Sequence, residues 1–135
     1  MPVLHRLEID IHGSEDVVRV RQAVRVQAVA QGFSLVDQTK LVTAASELAR
    51  NAIEHGGGGR AEILALSEGA KRGLRLIVSD TGPGIADLEQ ALRDGFTTGN
   101  GLGLGLSGAR RLSNDFAIES KPGEGTRVEI ARWHL

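Results

Sequence analysis

Cysteine is absent from the sequence, which excludes disulfides and thiolate metal centres. Aromatic residues are nearly absent too. Phe33, Phe96, Phe116 and Trp133 are the whole set, so a core has to be built from Val, Leu, Ile and Ala. An excess of one charge is lacking: Lys and Arg total 16, Asp and Glu 17, for a formal net charge of -1. No basic surplus therefore marks a nucleic-acid groove or an affinity for anionic membranes. Long hydrophobic runs are missing, so nothing approaches a membrane span. The stretch Met1 to Asp10 alternates apolar and polar residues, unlike the apolar stretch of a signal peptide. These absences leave a soluble, cytoplasmic protein as the expectation. At 135 residues, with 41% apolar and 24% charged residues, the chain suits one domain over 1–135, long enough to bury a core unaided.

Glycine is plentiful, at 18 residues, and clusters at Gly56–Gly59, at Gly82 and Gly84, and from Gly95 to Gly108. Around these clusters the hydrophobic pattern predicts regular elements. Residues 3–11 read as a strand with imperfect alternation. Ser14 is placed to cap a helix, with Glu15 and Asp16 in its first turn and Val17, Val20, Ala23 and Val24 at helical spacing. Gly32 closes that helix. A second helix starts at Ser34 or Asp37 and carries Leu41, Ala45, Leu48, Ala52 and Ile53 on its apolar stripe, ending at Gly56–Gly59. Residues 60–68 and 73–80 suit two antiparallel strands, with a turn near Gly69–Gly73. Residues 81–101 read as irregular, with a short helical piece at Asp87–Leu92. Leu102–Leu112 reads as a helix, and residues 115–121 and 125–133 as a final hairpin turning at Pro122–Gly125. The order predicts an α+β two-layer sandwich, with a mixed, mostly antiparallel sheet and helices on one face. A Rossmann sheet would need regular βαβ alternation, which is missing.

Three constellations carry candidate chemistry. Glu47 and Asn51 lie four residues apart on the second helix and so share a face, at the border of its apolar stripe. A carboxylate there could take a proton from a hydroxyl, and an amide oxygen could ligate Mg²⁺. A solvated helix edge is the alternative. Asp80-Thr81-Gly82-Pro83-Gly84 ends an apolar strand, where a carboxylate could accept an exocyclic amine and glycine permits close approach. An ordinary turn is the alternative. Gly101-Leu102-Gly103-Leu104-Gly105 enters a helix, and backbone N–H groups at such an entrance bind anions. Gly103, Gly105 and Gly108 also spell G-x-G-x-x-G, but no strand directly precedes them, as a dinucleotide fingerprint requires. No V-A-I-K, H-R-D or D-F-G string occurs, which rules out a eukaryotic-type kinase, and no Walker A loop is present.

Taken in order, E-x-x-x-N at Glu47 and Asn51, D-x-G-x-G at Asp80, Gly82 and Gly84, an intervening lid, and G-x-G-x-G at Gly101, Gly103 and Gly105 resemble the N, G1 and G2 boxes of the GHKL ATPases. Gly125-Thr126 resembles the G3 position. Ser46-Glu47-Leu48-Ala49-Arg50-Asn51 and Asp94-Gly95-Phe96-Thr97-Thr98 narrow the likeness to the RsbT-type switch serine/threonine kinases of the anti-sigma regulatory group. Two departures are Ser107, where proline is expected, and the Gly56–Gly59 run, which would loosen the loop after the second helix.

The resemblance implies a Bergerat-type fold, ATP and Mg²⁺ as cofactors, and phosphoryl transfer to a Ser or Thr of a STAS-domain protein. It implies Glu47 as general base, Asn51 as Mg²⁺ ligand and Asp80 as acceptor of the adenine amine. Gly82 and Gly84 would let the nucleotide lie close, Thr97 and Thr98 would belong to the lid, and Gly101, Gly103 and Gly105 would present N–H groups to the phosphates. Thr126 would support the adenine end through water. A PP2C-type phosphatase or a sigma-factor regulator is the implied downstream partner. Sigma-binding relatives dimerise, so a homodimer is admitted, although no dimer face is legible in the sequence. Arg110 and Arg111 read as a solvated helix face, and His55 as a helix-end residue near terminal carbonyls. The rival functions are an anti-sigma kinase, a stand-alone histidine-kinase-like domain, which would need an accepting His elsewhere, and a non-enzymatic, ATP-gated binding module.

Overall fold

The computed structural model describes residues 3–84, 97–98, 102–103 and 106–135. Its elements are β1 (Val3–Ile11), α1 (Ser14–Ala30), α2 (Leu35–Glu54), β2 (Gly59–Glu68), β3 (Lys71–Asp80), β4 (Thr97–Thr98), β5 (Leu102–Gly103), α3 (Leu106–Arg111), β6 (Asp115–Lys121) and β7 (Gly125–His134). The alternation in five of these strands builds one sheet in the order β1-β2-β3-β7-β6. Every pairing in it is antiparallel, so the expected mixed sheet is met in its antiparallel part, with no parallel pair among the described residues. A separate two-stranded pair joins β4 to β5.

Register puts Ile9, Ala61, Val78 and Val128 in one row across the sheet, and Leu7, Ile63, Leu76 and Ile130 in the next. These rows form the covered face, and all but Leu7 are buried. Helices α1 and α2 pack against each other and against this sheet, and α3 packs on α2. Their buried residues include Val17, Val20, Val24 and Ala28 on α1 and Leu41, Ala45, Leu48 and Ala52 on α2. The core is therefore aliphatic, as a chain so poor in aromatics requires. The sheet's other face carries ion pairs, among them Arg6–Glu62 at 3.1 Å, Arg60–Glu8 at 3.7 Å and Arg75–Glu129 at 3.6 Å.

The helix ends show local chemistry at work. At α2, Ser34 is the N-cap and its hydroxyl accepts from the Asp37 N–H, one of the donors a helix start leaves unpaired. At α1 the expectation fails. Gly13 is the N-cap and Ser14 the first helical residue. The Asp16 carboxylate does the capping, accepting from the His12 and Gly13 N–H groups at 2.9 and 3.2 Å. Those two backbone donors, with a lesser share from Arg19, hold the Asp16 carboxyl below its ordinary range. Gly32, at φ 82°, closes α1 as anticipated, with the Phe33 N–H donating to Ala28 O. The β2–β3 turn is tighter than expected, because β3 begins at Lys71, opposite Glu68.

The region after β3 brings the largest correction. Leu102–Leu112 is not one helix: Leu102 and Gly103 pair with Thr98 and Thr97 as strands, and the helix begins only at Leu106. Glycine's helix penalty, together with the period-two alternation of Gly and Leu, favours extended backbone here. The helical piece expected at Asp87–Leu92 lies outside the described residues. Among those described, no helix is long and apolar enough to cross a membrane.

Candidate functional site

Strand β3 ends at Asp80, whose cross-strand partner on β7 is Thr126. Thr126 in turn faces Ser120 on β6, and the two hydroxyls lie 2.8 Å apart. Asp80, Thr126 and Ser120 thus form one row at the end of the covered face, and all three line a cleft of about 560 Å³ with Ile118 and Arg127. Ser120 was invisible to sequence reasoning. Only the hairpin register, which sets it against Thr126, reveals it.

Asp80 is fixed from three sides. Its Oδ1 accepts the Gly82 N–H at 2.9 Å, and a carboxylate retains lone pairs for further donors. Gly56, in the loop that ends α2, packs so closely that a Cβ there would collide with the Asp80 side chain. Gly125, at φ 85°, lies against Asp80 O, where a Cβ would again collide. The loop after Asp80 is tied down by the Gly123 N–H donating to Pro83 O at 2.7 Å, and Gly84 abuts Lys121 O. In the Gly56–Gly59 run, the Gly56 and Gly58 N–H groups both donate to Ala52 O.

Helix α2 reaches this region through its last turns. Asn51 Nδ2 is buried without a hydrogen-bond partner, and His55 Nε2, one helical turn later, is in the same condition. Buried polar atoms are nearly always paired, so two orphans on one helix face next to a cradled carboxylate suit a site built for a polar ligand. His55 closes α2, as expected of a helix-end residue. Its backbone serves as C-cap, while its Nε2 stays unpaired. Sequence reasoning passed over His55 as a site residue, although its i+4 spacing from Asn51 was a usable signal. Glu47 lies one turn before Asn51 and is partly exposed, ion-paired with Arg50 at 3.1 Å.

Thr97, Thr98 and Gly103 belong to the β4–β5 pair. Gly101 and Gly105 lie outside the described residues, as do Asp94, Gly95 and Phe96. Arg110 and Arg111 are exposed at the end of α3.

The residues present fit a nucleotide with a hard cation. A carboxylate held between glycine backbones offers an acceptor and a close approach for a flat polar ring. Asn51 offers an unpaired buried amide, whose oxygen suits Mg²⁺. The cradle around Asp80 is lined by positions at which any side chain would intrude.

Residues 36–135 match the family described as histidine kinase-, DNA gyrase B-, and HSP90-like ATPase. The chain is 43% identical over 118 residues to the serine/threonine-protein kinase RsbT of Bacillus subtilis, covering 87% of this chain and 89% of that one. It is 34% identical over 115 residues to the anti-sigma F factor of Bacillus licheniformis, covering 79% and 77%. Among solved structures, the RsbU and RsbW domains of a Mycobacterium tuberculosis protein superpose with a TM-score of 0.66 at 22% identity, over 97% of this chain and 33% of that one. The catalytic domain of the histidine kinase ThkA superposes with a TM-score of 0.56 at 21% identity, over 96% and 95%.

Proposed function

The chain belongs to the histidine kinase-, DNA gyrase B-, and HSP90-like ATPase family, and from that premise we propose that it is an ATP-dependent serine/threonine protein kinase of a bacterial partner-switching circuit, acting in the cytoplasm on a STAS-domain protein. The observation that carries the proposal is the 43% identity to a serine/threonine-protein kinase over nearly nine-tenths of both chains. The geometry around Asp80 supports it, because Thr126 pairs with Asp80 across the strands and the Gly82 N–H donates to its carboxylate.

Each residue then has a task. Asp80, held by Gly82, accepts the exocyclic amine of adenine through its free lone pairs. Thr126 and Ser120, bonded to each other, hold the water between the hydroxyls and the ring. Asn51 would hold Mg²⁺ through its amide oxygen, while its buried Nδ2 would stay available to donate to the ligand. Glu47 takes the proton from the attacking hydroxyl of the substrate protein, and Arg50 beside it fixes the carboxylate's rotamer. By the resemblance, Gly101, Gly103 and Gly105 would present N–H groups to the phosphates, and Thr97 and Thr98 would belong to the lid. Mg-ATP, when bound, supplies the phosphoryl group and much of the charge neutralisation, and phosphoryl transfer asks little else of a protein than positioning and electrostatics. The product, a phosphorylated Ser or Thr, carries a near-dianion into the interface and drives the partners apart. The released kinase then binds its second partner, a PP2C-type phosphatase or a sigma-factor regulator.

Intact-mass measurement tests this reading. STAS-domain proteins of the same organism are incubated with the chain and Mg-ATP, and one of them gains a single phosphate. Asn51→Ala abolishes the gain, and Glu47→Ala abolishes it while leaving ATP binding in place. ATP binding with no phosphate on any partner would refute kinase activity and favour an ATP-gated binding module. The likeness to anti-sigma F factors supports a second reading, a kinase that also holds a sigma factor. Co-purification of a sigma factor with the chain distinguishes the two.

A further inference from the structure

The solvent side of α2 is a ridge. Val36, Thr39, Thr43 and Glu47 recur at helical spacing and so lie along one face. Val36 is 64% exposed, Thr39 and Thr43 are exposed, and Glu47 is half-buried. The ridge is therefore uncharged until it reaches Glu47. Two contacts fix what flanks it. Arg25 Nη1 on α1 donates to Gln38 Oε1 at 3.1 Å, which sets Arg25, and Arg21 one turn before it, beside α2. Arg132 donates through Nη1 to Leu112 O and through Nη2 to Asp37 Oδ1, which sets the end of α3, with the exposed Arg110, beside Asp37. Successive helical residues turn by about 100°, so Gln38 and Asp37 point to opposite sides of the ridge. Lys40 follows Asp37 by three residues and shares its flank.

Cations stand on both flanks and acids do not. Between Arg21 and Thr43 the sequence holds one acid, Asp37, and its carboxylate is taken by Arg132 at 3.0 Å. Helix α3 holds none. Among the described residues, Arg21, Arg25, Lys40 and Arg110 make no ion pair. On the sheet's other face, by contrast, Arg6, Arg60 and Arg75 are each matched by a carboxylate. In a chain whose formal net charge is -1, this positive face is local. From it we infer that an acidic surface of the protein substrate lies along the α2 ridge, its carboxylates reaching the cations on both flanks and its acceptor hydroxyl meeting Glu47 at the ridge's end. This docking rests on the kinase reading, which makes Glu47 the base.

The chemistry of the ridge selects a protein. An anionic membrane would ask for large apolar or aromatic side chains beside the cations, and a single-stranded nucleic acid would ask for aromatic platforms. Val36 is the one large apolar side chain on the ridge before Glu47, and no aromatic occurs from Val36 to Glu47 or on α3. Complementary charge across an interface speeds encounter and excludes wrong partners, which suits a kinase that must find one protein among many. The helix also sets a ruler. Lys40 lies about 10 Å along the axis from Glu47, so an acid that pairs with Lys40 stands roughly that far from the acceptor hydroxyl on the substrate's surface. None of the four cations belongs to the nucleotide cleft, so the protein and the nucleotide are held by different parts of the chain.

Steady-state kinetics on the STAS-domain protein that gains the phosphate test the ridge. Lys40→Glu combined with Arg110→Glu reverses one flank, and Arg21→Glu reverses the other. Each raises the KM for the protein substrate on the order of tenfold and leaves kcat and the KM for Mg-ATP unchanged. Lys40→Arg keeps the wild-type values. So does Arg6→Glu, an equal change of charge on the sheet's other face. Melting of each variant verifies that it is folded. Added salt raises the wild-type KM and raises that of the reversed variants less. Calorimetry without nucleotide separates docking from catalysis: a STAS-domain protein of the same organism binds the wild type and binds the reversed variants more weakly. A protein that bound in this way but took no phosphate would keep the ridge as a docking face and remove the kinase reading. Phosphate transfer by the reversed variants at an unchanged KM would overturn the ridge and keep the kinase. Absence of any such binding by the wild type overturns the docking. So does wild-type binding to phosphatidylserine vesicles that the reversed variants lose, which would assign this face to a membrane.

Discussion

The two ends of the sheet are built on opposite principles. At the end where β2 turns into β3, and where β7 finishes, polar groups are spent on one another. The Gln31 side chain, buried, donates to Leu66 O and Gly73 O at 2.8 and 2.7 Å. Arg132 bonds Leu112 O and Asp37, leaving only its Nε unpaired. His134 contacts Gln31 O and sets its ring edge-on to Phe33, and the Trp133 indole lies over Gly73 and donates to Asp115. At the other end, Asn51 and His55 are buried with unpaired nitrogens, and bare glycines stand where side chains would otherwise fill space. The first end holds the fold together. The second withholds its bonding capacity for something that arrives from outside, and the departure from internal satisfaction is itself the mark of a site.

Three experiments can break or sharpen that contrast. The largest effect is expected at the satisfied end. Gln31→Ala removes two buried hydrogen bonds and leaves carbonyl groups short of a partner, which destabilises the fold by about 2–4 kcal/mol in chemical denaturation. ATP affinity of the remaining folded protein is unchanged. If Gln31→Ala weakened nucleotide binding instead, the two ends would not be separable. The next effect is of opposite sign. Asn51→Leu removes an unpaired buried amide, so the ligand-free protein melts higher, by about 1–2 kcal/mol of added stability, while Mg-ATP binding measured by calorimetry is lost. A lower melting temperature would mean that Asn51 serves the fold. The smallest effect concerns the exception at the site end. Asp16 is bonded by two backbone N–H groups, its folded pKa is depressed, and its contribution to stability is complete above the unfolded carboxylate value. That contribution is lost as the pH falls through the folded value. Acid titration of Asp16→Asn therefore shows a shallower loss of stability than wild type over that window, and identical profiles would show that the capping bonds carry nothing.

Much of this architecture was legible in the sequence because hydrophobic period reports directly on packing. Strands β1 and β6 fall on the expected residues, and Ser34 caps α2 as its type suggests. What escaped lay in the third dimension. Nothing in the sequence tells Gly56 that it will touch Asp80, or Ser120 that it will meet Thr126, because those contacts depend on register between segments far apart in the chain. The capping of α1 escaped for a subtler reason: Ser14 and Asp16 are both good N-terminal residues, and only the backbone path decides which of them faces the free N–H groups. The start of the helix expected over Leu102–Leu112 fails at Leu102 and Gly103, where the period-two Gly–Leu alternation gives a strand, and holds from Leu106. Glu47, Asn51 and Asp80 stand out as a candidate set only through motif order, because no single one of them carries a signal strong enough alone.

The contacts of Gly56 and Gly125 with Asp80 bear on how this chain can be inherited. Every single-base change that alters a glycine codon into another amino acid adds a Cβ, and at these two positions a Cβ strikes the carboxylate or its carbonyl. No small step is open there. A lineage descending from this protein can redraw its helix surfaces and its edge strand residue by residue, but it either keeps this corner whole or gives up the geometry around Asp80 altogether.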